Sequence, residues 1–80
     1  MPDMQWSEPV ELKFGHAGSR TVKGPFDALI YLHDMWPQRT GAKFVKASNA
    51  CKGAVAGRVS LEAARNDFLA AAEEARLTAH

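Results

Sequence analysis

Residues 9–25 read Pro-Val-Glu-Leu-Lys-Phe-Gly-His-Ala-Gly-Ser-Arg-Thr-Val-Lys-Gly-Pro, and this stretch decides the fold. Val10, Leu12 and Phe14 alternate with Glu11 and Lys13, the period-two pattern of a strand with one buried face. Pro9 suits the start of an edge strand, because it has no N–H to give to a ladder. Gly15-His16-Ala17-Gly18-Ser19 is turn chemistry, and Arg20-Thr21-Val22-Lys23 reads as the returning strand. The pair makes a β-hairpin with Val10, Leu12, Phe14 and Val22 facing inward. Two strands alone are marginal in water, so the hairpin must lie on something else.

That support comes next in the chain. Gly24 ends the strand, and Pro25 stands at a first helical position, where its missing N–H is not needed. At about 100° per residue, Phe26, Leu29, Ile30, His33 and Trp36 share one face of this helix, with Leu32 at its edge. Asp27, Tyr31 and Asp34 fall opposite. Trp36-Pro37 stops the helix, since proline pushes the preceding residue out of the α region. A second helix is expected from Ala42 to about Ala56, with Phe44, Ala47, Ser48, Cys51, Ala54 and Val55 as its apolar stripe and Lys46, Asn49 and Lys52 facing away. Gly57 is its cap. Ser60 caps a third helix, with Glu62 in the first turn favouring its dipole. Its buried face is Leu61, Ala64, Phe68, Ala71, Ala72 and Ala75, and Glu73 can pair with Arg76 on the outer side. The expected architecture is α+β, a hairpin followed by three helices (β-β-α-α-α), with residues 1–80 as a single domain.

Composition sets limits on what such a domain can do. Hydrophobic residues make up 46% of the 80-residue chain, yet alanine supplies 14 of them and Leu, Ile, Val and Phe only 16. Alanine buries little area, so the core should be thin and stability should come from close helix packing or a partner subunit. Self-association is therefore expected. The net charge of +1 argues against a dedicated DNA binder. One cysteine excludes an internal disulfide framework and fits a reducing compartment. Met1-Pro2-Asp3-Met4 offers no basic or apolar leader, and no apolar run approaches the roughly 20 residues of a membrane helix, so a cytoplasmic location without membrane contact is expected.

The ordered set Trp6, Pro9-Val10, Val22, Ala28-Leu29, Leu32, Trp36-Pro37, Gly41, Ala47, Cys51, Gly57, Ala64-Arg65, Phe68, Ala71-Ala72 and Ala75 resembles the bacterial domain of unknown function 982 family. The match runs over about seventy positions. It implies a small bacterial protein with a shared fold, and it carries no activity and no active-site residues.

Candidate chemistry is sparse. Cys51 stands mid-helix in an apolar stripe, whereas a reactive thiol wants an electropositive, partly exposed setting; it reads as a core residue. His33, on the expected apolar face of the first helix, reads as a core-edge histidine bonded to a backbone carbonyl, and it is the candidate for ligand binding or pH sensing. His16 and His80 read as solvated. No histidines or cysteines stand at metal-ligand spacing, and no cofactor motif is present. Gly15-x-x-Gly18 joins two strands and lacks the helix of a phosphate loop. Asp27 and Asp34 read as solvated charges.

Between Trp36 and Leu61 there are five cations, Arg39, Lys43, Lys46, Lys52 and Arg58, and no acid. They are the candidate polyanion-binding face of a nucleic-acid-associated protein. A helix-turn-helix is excluded, because its recognition helix would be the acidic third one. Ala50 and Ala54, and Gly53 and Gly57, stand four apart on the second helix. Gly53 falls on its outer side, where it reads as a solvated glycine, with a close contact at this face as the alternative. No nucleophile–base–orienter set can be assembled. The favoured expectation is a non-enzymatic interaction or regulatory module that forms homodimers or binds another protein partner.

Overall fold

A computed structural model describes residues 5–15, 18–37 and 39–77. It contains β1 (Val10–Lys13), β2 (Ser19–Val22), α1 (Pro25–Asp34), α2 (Ala42–Val55) and α3 (Leu61–Glu74), the expected order. The strands pair antiparallel, Val10 opposite Val22 and Lys13 opposite Ser19. Gly15 and Gly18 both take positive φ where the chain reverses, and the Phe14 N–H donates to the Gly18 carbonyl at 2.9 Å. His16 and His80 lie outside the described residues. Val10, Leu12 and Val22 are buried and Phe14 is half-buried, so the alternation places the hairpin's inner face as expected.

All the elements contribute to one buried cluster. Seven of its sixteen hydrophobic members are alanines, the thin core that the composition implies. Alanines 47, 50 and 54 of α2 and 64, 71 and 72 of α3 are buried, and side chains that end at Cβ allow the two helices to pack closely. The largest fully buried side chain is Phe68, with Trp6 and Trp36 against it at centroid distances of 5.7 and 5.5 Å.

Segments outside the regular elements close this core. The Trp6 N–H donates to the Lys23 carbonyl at 2.7 Å, and the Arg65 Nε donates to the Glu8 carbonyl at 2.8 Å across 57 residues of sequence. After α3, the Leu77 carbonyl accepts the Lys13 N–H at 2.7 Å, occupying one position on the outer edge of β1.

Two expectations about helix faces are corrected. The buried line of α1 is Pro25, Ala28 and Leu32, not the Phe26–Leu29–Ile30–His33 face. Tyr31, expected to face outward, is half-buried and stacks on Phe14 at 6.1 Å. This stacking accompanies a rotation of the helix that turns the small Ala28 inward and Phe26 outward.

Gly53, expected on the outside of α2, is buried. A Cβ at this position would stand 2.5 Å from Val59 Cγ2, because the α2–α3 turn folds Val59 back over the helix end. Gly53 is therefore not the expected solvated glycine, and its close contact is made within the chain. The Glu73–Arg76 pair is also replaced. Arg76 has left the helix at φ 59°, and its N–H donates to the Glu73 carbonyl.

Candidate interaction surface

Helix α1 carries apolar residues on two sides. Ala28 and Leu32 are fully buried, whereas Phe26 is 62% and Ile30 46% exposed. At 3.6 residues per turn, Phe26, Ile30 and His33 lie within about 60° of one another and nearly opposite Ala28. The half-buried Leu29 borders this stripe on one side, and Asp27 and Asp34 both border it on the other. His33 is exposed, so it belongs to this outer stripe and not to the core edge where the apolar periodicity put it.

Val45 of α2, 51% exposed, is the other large exposed hydrophobe among the described residues. It shares its outer face with Asn49 and Lys52, all three within about 60°. Lys43 falls roughly 180° from Lys52 around the same helix. The five candidate cations are all exposed, but they do not converge. Arg39 precedes α2 and Arg58 follows it, at opposite ends of a 14-residue helix about 21 Å long. Lys46 turns towards α3, its Nζ 3.8 Å from an Asp67 carboxylate oxygen. Among the described residues, Asp27, Asp34, Lys43 and Lys52 have no ion-pair partner in the chain.

The other chemical candidates are weaker. Cys51 is fully buried, and its thiol is pushed up to about 12, first by burial and then by the nearby Asp67 charge. A thiol held protonated is neither a nucleophile nor a metal ligand at neutral pH. An open depression of about 260 Å³ is lined by Ser7, Glu8, Glu62 and Arg65. Arg65 is already engaged there by Glu8, through the carbonyl and through a carboxylate at 3.8 Å. Among the described residues no three His, Cys, Asp or Glu side chains come together as a metal site, and no helix is long and apolar enough to cross a membrane.

The exposed stripe was missed because both arcs of α1 are apolar, and the bulkier residues lie on the outer one. Periodicity weighted by side-chain size therefore points the wrong way. The signal that could have located the core line is Pro25, Ala28 and Leu32, spaced three and four apart.

Fold and surface together define a small α+β domain with a two-stranded hairpin on a three-helix layer. By sequence it belongs to the family described as protein of unknown function (DUF982), whose model matches residues 8–79. The NMR structure of the Agrobacterium tumefaciens protein Atu1219 is similar, with a TM-score of 0.81 and 27% sequence identity. The match covers 96% of this chain and 77% of that one. Among proteins with curated descriptions, none matches.

Proposed function

We propose that this chain is a non-enzymatic interaction or regulatory module of the bacterial cytoplasm that works as a homodimer through the outer face of α1. The observation that carries this reading is the exposure of Phe26 and Ile30, one helical turn apart, on a helix whose core contacts are completed by other residues. Full burial of such a side chain from water is worth about 1.5–3 kcal/mol, and roughly half of that is still to be gained at each of these two positions. The bacterial relative and the single buried thiol support the compartment. The interaction reading is preferred to nucleic-acid binding because Lys46 is engaged by Asp67 and the remaining cations are scattered around α2.

The test is the solution mass of the full chain by light scattering over a range of concentrations, with the melting temperature followed in parallel. A dimer gives twice the 8.7 kDa chain mass and a melting temperature that rises with concentration. The double variant Phe26→Ser, Ile30→Ser should remain folded, because neither side chain is in the core, and should be monomeric. A wild-type monomer at every concentration overturns the reading.

A further inference from the structure

We infer that the partner is a second copy of this chain, placed by a two-fold axis so that α1 of each protomer lies on the outer face of α2 of the other. Phe26 and Ile30 then cover Val45, and the acidic edge of α1 meets Lys52. This rests on the self-association proposed above and names the surface that receives α1.

Two arguments select α2 as that surface. The first is charge. Asp27 and Asp34 border the α1 stripe on the same side, both without an ion-pair partner among the described residues. A two-fold antiparallel contact of α1 with its own copy sets like edges together and brings Asp34 towards Asp27 of the partner. Like charges so placed oppose association. A parallel contact sets the acidic edge over Leu29 of the partner, with only His33 near it. Helix α2 offers the opposite character. It has three lysines and no acid, and its outer face joins the exposed Val45 to Lys52, whose charge is unpaired among the described residues.

The second argument is area. A stable dimer buries about 800 Å² per partner, roughly one-sixth of the 5102 Å² exposed by this chain. The short α1 stripe by itself is narrow for that. An arrangement with α1 on α2 in both directions uses two helices of each protomer, and all three exposed apolar side chains, Phe26, Ile30 and Val45, become covered. It is also closed, as a two-fold dimer must be.

Sedimentation equilibrium on the full chain tests the arrangement through exposed residues, with circular dichroism as the check that each variant is folded. Val45→Asp and Lys52→Glu, both on α2, should each weaken dimerisation about tenfold or more. Combining Lys52→Glu with Asp34→Lys restores the charge pair in the swapped sense and should recover most of the loss. A dimer that is lost in the Phe26→Ser, Ile30→Ser variant but indifferent to Val45→Asp and Lys52→Glu overturns the α2 surface and leaves self-association through α1 standing. Failure of the charge-swapped pair to recover association overturns the predicted contact between the two edges. A chain that never dimerises overturns both proposals.

Discussion

Cys51 lies at the centre of the α2 stripe with no exposed surface, and burial, more than the Asp67 carboxylate nearby, holds its thiol up at about 12 against an ordinary 9.0. An acid whose folded-state pKa is raised retains its proton in the native state after the unfolded chain has released it. Its contribution to stability is therefore complete below about pH 9 and lost progressively as pH rises towards 12. One unit is worth about 1.4 kcal/mol, so the loss approaches about 4 kcal/mol at the upper end of the window. Urea unfolding across this range should show a steeper fall for the wild type than for Cys51→Ala, in which this proton is absent. Equal slopes would place the thiol in contact with water. Sequence alone placed this residue correctly, because free cysteine in an apolar stripe is among the most reliably buried side chains.

At the scale of elements, the two helix ends show how the same backbone problem is met with different residues. Helix α2 closes with the Gly57 N–H on the Ala54 carbonyl and the Arg58 N–H on the Gly53 carbonyl, and Gly57 takes φ 82°. Helix α3 closes in the same pattern. The Arg76 N–H meets the Glu73 carbonyl and the Leu77 N–H the Ala72 carbonyl, but here an arginine occupies the left-handed position. A side chain there costs about 1–2 kcal/mol, partly offset by the entropy that glycine loses on folding. Arg76→Gly should therefore stabilise the domain by about 0.5–1 kcal/mol, and Gly57→Ala should destabilise it by a similar amount. For a chain of this size, each change should move the melting temperature by several degrees, since 1 kcal/mol corresponds to about 4–8 °C. No gain from Arg76→Gly would mean that the exposed arginine side chain contributes as much as its backbone strain costs.

The strands, the caps of α2 and α3 and the core faces of those two helices could be read from the chain, because alternation, Gly57 and Ser60 are local signals. The rotation of α1 could not. It goes with Tyr31 meeting Phe14 across the fold, a contact that no local pattern signals. The burial of Gly53 was hidden for a related reason, since it is imposed by the return of Val59 in the turn that follows. The candidate surface was consequently visible as a set of residues but assigned to the wrong side of its helix.

For the molecule as a whole, stability depends on aromatic residues that come from outside the regular elements. Trp6 precedes β1 and Trp36 follows α1, and both pack on Phe68 of α3. The segment carrying Trp6 is held by the Lys23 carbonyl and by Arg65 on Glu8. Trp6 also has a defect. It is 6% exposed, and its buried Nε1 has no hydrogen-bond partner among the described residues. An unsatisfied buried donor costs about 1–3 kcal/mol, so the indole ring contributes less than its buried area suggests. Removing the whole side chain in Trp6→Ala should cost about 3–5 kcal/mol. That is a large share of the roughly 4–12 kcal/mol expected for a domain of 80 residues. Trp6→Phe keeps an aromatic ring against Phe68 and deletes the unpaired N–H, so the smaller packing area is offset and its cost should stay below about 1.5 kcal/mol. Urea unfolding of the two variants separates these contributions. If Trp6→Phe proves nearly as damaging as Trp6→Ala, the indole N–H has a partner in solution, and the N-terminal segment is held by a polar contact as well as by packing.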